Sequence, residues 1–150
     1  MELVIIVVGF LIDRLTKIWA LNAFKNTQEI VLIKGFFSFM YRENEGAAWS
    51  IFSGKTVFLI IFTFIILCGI IYYRLKYRPK SKIMRTALSL IIAGAVGNLF
   101  DRVLYKHVVD FIYFHYKDVY SYPVFNFADM CVVVGTVLLM ICILRNDSKK

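Results

Sequence analysis

Three runs of about 17 or more mostly apolar residues, at 57–73, 83–100 and 124–144, dominate this chain. Each is close to the ~20 residues an α-helix needs to cross about 30 Å of hydrocarbon. A fourth run, 3–24, is long enough but is interrupted by Asp13, Arg14 and Lys17. With 60% hydrophobic and 17% aromatic residues in 150, the chain lacks the polar surface of a soluble domain of its size. The expected class is an all-α integral membrane protein, a single polytopic domain over 1–150. Four transmembrane helices are expected at about 3–24, 57–73, 83–103 and 124–144, with a small extracytoplasmic β segment at about 25–55.

Charge gives the orientation. The net charge is +8, and the segment 74–85 (RLKYRPKSKIMR) holds six basic residues and no acid. The tail 145–150 adds three basic residues and one acid, whereas 23–55 is net +1 and 101–123 is neutral. Short basic connections stay cytoplasmic, so the loop between spans 2 and 3 and both termini are expected inside. Topology therefore accounts for the basic balance, and no nucleic-acid partner is expected. The N-terminus lacks a basic leader and a small-residue cleavage site, so it does not read as a cleavable signal peptide. Cys68, Cys131 and Cys142 lie inside apolar runs without a CxxC pair, which suits packing roles. His107 and His115 stand in no metal-ligand pattern. No metal and no cofactor is expected.

Two segments then face outward. In the first, 29–33 and 36–42 are β-prone, Glu43-Asn44-Glu45-Gly46 reads as a turn, and 47–52 is a returning strand, which together predict a hairpin over 36–52. In the second, 101–123, aromatic and polar residues alternate up to Pro123, which marks the start of the last helix.

Ionisable side chains inside a bilayer are costly, so each is a candidate functional residue. Asp13 and Lys17, four apart on one helical face, can pair. Asp13 lies about 15 Å along its span, a depth that suits a structural ion pair. On the third span, Ala93, Gly94, Ala95 and Gly97 form a small-residue surface for close helix approach. Asn98, Asp101 and Arg102 follow at its outer end, with Asp101 expected to pair with the adjacent Arg102. Asn126 and Asp129 share a face of the last span, with Asp129 about 7–8 Å inside it. Asp110, in His107-Val108-Val109-Asp110-Phe111-Ile112, is flanked by apolar residues, which is odd for a solvated loop. It reads as chain dipping back against the bundle.

Spans 3 and 4 are consecutive and antiparallel, so Asp110 and Asp129 can meet at one depth near the outer interface. Two carboxylates in a partly apolar site share a proton, because both cannot ionise cheaply. The ionised partner can take a proton from an attacking water while the other donates to a scissile carbonyl. Ser50, Ser53 and Ser121 have no histidine at a suggestive position, so a carboxylate pair is the favoured hydrolytic apparatus.

Several motifs resemble those of the lipoprotein signal peptidases (signal peptidase II). They are Asp13-Arg14-Leu15-Thr16-Lys17, Glu43-Asn44-Glu45-Gly46-Ala47-Ala48-Trp49-Ser50, Gly94-Ala95-Val96-Gly97-Asn98-Leu99-Phe100-Asp101-Arg102, Val108-Val109-Asp110-Phe111 and Phe125-Asn126-Phe127-Ala128-Asp129. The resemblance covers nearly the whole chain. It implies that Asp110 and Asp129 are the catalytic pair of an intramembrane aspartic endopeptidase. It also implies that Asn44, Gly46, Asn98, Arg102 and Asn126 bind substrate or support the site, with Asp13, Lys17 and Asp101 as supporting polar residues. The implied fold is four transmembrane helices with an extracytoplasmic β-cradle, in a bacterial cytoplasmic membrane. The implied substrate is a prolipoprotein carrying a diacylglyceryl cysteine, cut on the N-terminal side of that cysteine. Membrane lipids and a globomycin-type inhibitor are the other implied partners. Trp49 stands where phenylalanine is commoner in the family, and an aromatic is retained.

Two other classes compete. A transporter or proton-conducting subunit would use the acids as a relay, but it should grade them through the membrane rather than gather Asp101, Asp110 and Asp129 at one end. A structural assembly subunit would not need Asp110 and Asp129 at equal depth.

Overall fold

The structure, a computed structural model, describes residues 1–26, 29–47, 49, 51–116 and 119–145. Ala48 and Ser50 of the motif at 43–50, Lys117, and the basic tail beyond Arg145 lie outside the described residues. Eight elements follow in order: α1 (Glu2–Phe24), β1 (Ile30–Ile33), β2 (Phe37–Asn44), α2 (Thr56–Tyr77), α3 (Lys82–Tyr105), β3 (Val108–Tyr116), β4 (Tyr120–Ser121) and α4 (Phe127–Leu144).

Among the described residues, three helices are both long and apolar enough to cross a membrane: α2, α3 and α4. Their backbone groups are satisfied within the helix, as hydrocarbon demands. α1 has 23 residues and so spans about 34 Å, but Asp13, Arg14 and Lys17 set it apart from the other three. It buries Asp13 and Lys17 inside the bundle. α2 buries Leu59 and Leu67 and turns Phe58, Ile61, Phe62 and Ile65 outward, the surface of a helix facing lipid.

α3 is the central helix, packed against α1, α2 and α4. The small-residue face expected on it is real. A Cβ on Gly97 would lie 2.5 Å from Asp13 Oδ2, and one on Gly94 would fall on the Ala128 carbonyl oxygen. Glycine at these two positions is what lets α1 and α4 reach α3 closely enough for their polar groups to meet. Ser81 starts the helix by accepting from the Met84 amide at 3.4 Å. The turn before it is closed by Arg78 in the left-handed conformation, at φ +43°.

The β structure departs from the expected hairpin and makes the label all-α too narrow. An antiparallel sheet runs in the order β1-β2-β3-β4. β2 turns back on β1, before it rather than after it, with Ile30 opposite Phe39. Residues 51–54 form turns, not a returning strand. The second partner of β2 is β3, with Phe37 opposite Phe114, Arg42 opposite Asp110 and Asn44 opposite Val108. The stretch around Asp110 does return against the bundle, as a nine-residue strand with Asp110 buried. Its apolar flanks are explained by packing: Val109 and Phe111 join Ala20 and Phe24 of α1 in one buried cluster. Trp19 meets Phe24 edge-on at 4.7 Å, and Phe24 stacks on Phe39 at 5.5 Å, so aromatic rings fasten the sheet to α1.

The last helix also begins later than Pro123. Phe125 bridges β3 through hydrogen bonds with Ile112 in both directions, at 2.9 and 3.0 Å. Asn126 then starts α4 as its N-cap.

Candidate active site

Asn126 and Asp129 form a capping box. The Asn126 Oδ1 accepts from the Asp129 amide at 2.9 Å, and Asp129 Oδ2 accepts from the Asn126 amide at 3.0 Å. This satisfies two of the amides that a helix start leaves unpaired. It also fixes Asp129 in the first turn of α4, beside the buried Asp110 of β3. The Asn126 Nδ2 donates to Asp110 Oδ1 at 2.7 Å, so one side chain is bonded to both acidic residues. Asn44, at the end of β2, donates to the other oxygen of Asp110 at 2.9 Å. Asn98 of α3 donates to Asp129 Oδ1 at 2.7 Å, and its own Oδ1 accepts from Asn126 at 3.2 Å. Three asparagines, on β2, on α3 and at the start of α4, thus brace two carboxylates, one on β3 and one on α4.

Burial raises the Asp110 carboxyl to about 7, and the negative charge of Asp129 pushes the same way. The hydrogen bonds from Asn44 and Asn126 and the charge of Lys17 pull against this without cancelling it. At neutral pH a proton is therefore available on a carboxyl next to a second carboxyl. Such a pair can polarise a water and protonate an oxygen in one step.

Beneath the pair lies a buried charge network. The Lys17 ammonium lies 2.9 Å from three oxygens, donating to Asn98 Oδ1 and pairing with the carboxylates of Asp13 and Asp101. The Asp13–Lys17 pair expected from spacing is present. Asp13 also accepts from the Ala128 amide at 3.0 Å, so α1 supplies a carboxylate to the N-terminus of α4. The expectation for Asp101 needs correction. It pairs with Arg14 and Lys17, not with Arg102. Adjacent helical residues point about 100° apart, so neighbours in sequence do not face each other. Arg102 instead donates from Nη2 to the Gly46 carbonyl at 2.7 Å, and its buried Nε has no partner among the described residues. The Gly46 amide in turn donates to Asn44 Oδ1 at 2.9 Å. Arg102 and Asn44 together hold this turn between β2 and α2 next to Asp110.

Sequence reasoning missed two groups. Arg14 was visible as a third charge on α1 but received no role. It sits against Asp101 and over the Phe100 ring at 4.8 Å. Ser38, Glu29 and His115 also meet, with Ser38 Oγ 3.3 Å from His115 Nε2 and donating to Glu29. The single hydroxyl hydrogen is thus given to the carboxylate and not to the histidine, so this Ser–His pair is not arranged as nucleophile and base. Among the described residues, no three His, Cys, Asp or Glu side chains converge as metal ligands would.

Over residues 5–145 the sequence matches the family described as signal peptidase (SPase) II. The chain belongs to the signal peptidase II family. The lipoprotein signal peptidase of Clostridium acetobutylicum is 59% identical over 150 residues, covering 100% of this chain and 97% of that relative. That of Clostridium tetani is 50% identical, covering 98% and 94% respectively. That of Staphylococcus aureus (strain MRSA252) is 37% identical, covering 99% and 91%. A solved bacterial membrane enzyme, determined by the in meso method at 2.3 Å resolution, superposes with a TM-score of 0.88 at 37% identity. The match covers 99% of this chain and 90% of that one. This member of the signal peptidase II family is accordingly a protease and a multi-pass membrane protein, with its helices joined to a small antiparallel sheet.

Proposed function

We propose that Asp110 and Asp129 are the catalytic dyad of an intramembrane aspartic endopeptidase that removes the signal peptide from diacylglyceryl-modified prolipoproteins. The cut falls on the N-terminal side of the lipidated cysteine. The observation that carries this reading is Asn126, whose side chain and amide are bonded to both acidic residues at 2.7–3.0 Å. Asp110, with its carboxyl at about 7, holds the shared proton and gives it to the carbonyl oxygen. Asp129 takes a proton from the attacking water. Microscopic reversal of these roles protonates the leaving amine. Asn44, Asn98 and Asn126 keep both carboxylates aimed, and Arg102 holds the Gly46 turn beside them. Asp13, Lys17 and Asp101 form the floor of the site.

The membrane arrangement follows from charge. All four helices span, as one polytopic domain in the bacterial cytoplasmic membrane. The basic 74–85 segment and both termini lie inside, and the dyad lies at the extracytoplasmic face. A lipidated substrate can leave its signal helix and acyl chains in the bilayer while presenting the scissile bond where water is available. A globomycin-type inhibitor would occupy that position. The relay reading loses ground here, because Asp13 reaches the Ala128 amide and so joins Asp101, Asp110 and Asp129 in one cluster rather than marking a separate depth.

Asp110→Asn and Asp129→Asn should each abolish cleavage of a diacylglyceryl prolipoprotein while the protein stays folded and still binds globomycin. Asparagine keeps the size and one oxygen but can neither take nor give the proton. The double variant should be no worse than either single one, since groups acting as a unit fail together. Substantial cleavage by either folded variant, against a no-enzyme blank, would exclude the dyad. A reporter-fusion map should place Arg78 inside and Asn44 and Lys117 outside, and a cytoplasmic Asn44 would overturn the orientation.

A further inference from the structure

At the end of the bundle opposite the carboxylates, Glu2, Arg74, Arg78, Pro79 and Arg85 line a cavity of about 260 Å³. Arg85 and Asp101 are separated by roughly 24 Å along α3 at 1.5 Å per residue, so this cavity is no part of the site described above. We propose that it binds the phosphodiester headgroup of an anionic membrane lipid.

The charge balance points to an anion. Glu2 is gripped from two sides, with one carboxylate oxygen on Arg74 and the other on Arg85. This knot joins the ends of α1, α2 and α3. It also leaves three guanidinium groups facing a single carboxylate. Each guanidinium carries five N–H donors, so most donors around the cavity are unspent by the knot.

Arg78 is the telling residue. Joining helix ends explains Arg74 and Arg85 but gives Arg78 nothing to do. Among the described residues its side chain has no hydrogen bond or ion pair, and it is exposed at the cavity wall. Its backbone is left-handed, at φ +43°, and caps α2 by donating from its amide to the Arg74 carbonyl at 3.1 Å. Glycine is the ordinary occupant of such a cap. An arginine accepts backbone strain there, and the return is a third cation beside the cavity.

The surroundings favour a lipid over free phosphate. The volume falls just below the ~300–1,000 Å³ of ordinary small-molecule pockets, a fit for a headgroup rather than a whole lipid. Immediately beside it, α2 presents Ile71, Tyr72 and Leu75 outward, with Leu75 70% exposed. A headgroup in the cavity can lay its acyl chains along this flank, whereas a free anion makes no use of it. Basic pockets between helix ends at a membrane surface are suited to anionic headgroups.

The test uses the full chain in neutral detergent, titrated with phosphatidylglycerol, phosphatidylcholine or inorganic phosphate. Native mass spectrometry reads bound lipid, and thermal unfolding reads stabilisation. The expected result is a 1:1 phosphatidylglycerol adduct several-fold more populated than the phosphatidylcholine one, with a matching rise in Tm. Inorganic phosphate should give no comparable rise. Arg78→Gly relieves the left-handed strain while removing the cation, so it should fold at least as well yet lose the phosphatidylglycerol preference. Arg78→Lys should retain it. Equal response to the two lipids, or an unchanged preference in Arg78→Gly, would overturn the proposal. Equal stabilisation by inorganic phosphate would refute the lipid as the source of the phosphate.

Discussion

Asn126 offers the sharpest separation between holding the fold and holding the chemistry, because one side chain does both. Its Oδ1 caps α4, while its Nδ2 donates to Asp110 at 2.7 Å and to Asn98 at 3.2 Å. Asn126→Ala removes the cap, at about 0.5–2 kcal/mol. It also strips a donor from the buried Asp110 oxygen, at about 1–3 kcal/mol. A combined loss of about 2–5 kcal/mol is expected. Asn126→Ser keeps a capping oxygen but cannot reach Asp110, so it should recover about 1 kcal/mol of the loss and recover no cleavage. The pH profile adds an independent reading. The Asn126 hydrogen bond lowers the Asp110 carboxyl, against the burial that raises it. Either substitution should therefore move the Asp110 limb of any residual activity above about 7, the position it has in the intact site. Stability is read by denaturant titration in micelles, and activity with a lipidated precursor peptide across pH. The reasoning fails if Asn126→Ser cleaves at the original rate with an unmoved limb, or if it is no more stable than Asn126→Ala.

Three further outcomes are expected. Asp13→Asn should lower folded yield and thermal stability more than it lowers activity per folded molecule, since Lys17 loses a charged partner at 2.9 Å in the bundle; a well-folded but inactive variant would bring Asp13 into the chemistry. Gly97→Ala should cost about 1–3 kcal/mol, because its Cβ would sit 2.5 Å from Asp13 Oδ2, while Gly69→Ala, with nothing within 4 Å, should be neutral in denaturant titrations. The raised Asp110 carboxyl makes the folded state hold a proton that the unfolded chain has already released. Stability should therefore fall by a few kcal/mol as pH rises from about 4 to about 7, and Asp110→Asn should flatten that slope in pH-dependent unfolding.

The helices were legible because hydrocarbon-length apolar runs and polar interruptions are local features. The meeting of Asp110 with Asp129 was legible for a similar reason: the carboxylates flank one connection between two antiparallel helices. What failed was non-local. β2 pairs with a strand about 70 residues later, Phe37 with Phe114, and no local pattern announces such a partner. The Asn44–Gly46 turn has the composition of a hairpin turn. Its hydrogen bonds instead serve Asp110 and Arg102. Adjacency misled at Asp101 and Arg102, where the helical turn sends one to Arg14 and Lys17 and the other to Gly46. The Ser38–His115 contact escaped notice because it lies across two strands far apart in sequence.

Lys17 lies near the beginning of the chain, and Asn126 and Asp129 open its final helix. The buried network joins them through Asn98, so on the proposed assignment the site has no earlier version of itself. A nascent chain lacking α4 carries Asp110 without Asp129, the Asn126 brace or the Ala128 amide that receives Asp13. On that assignment, proteolytic competence waits for α4.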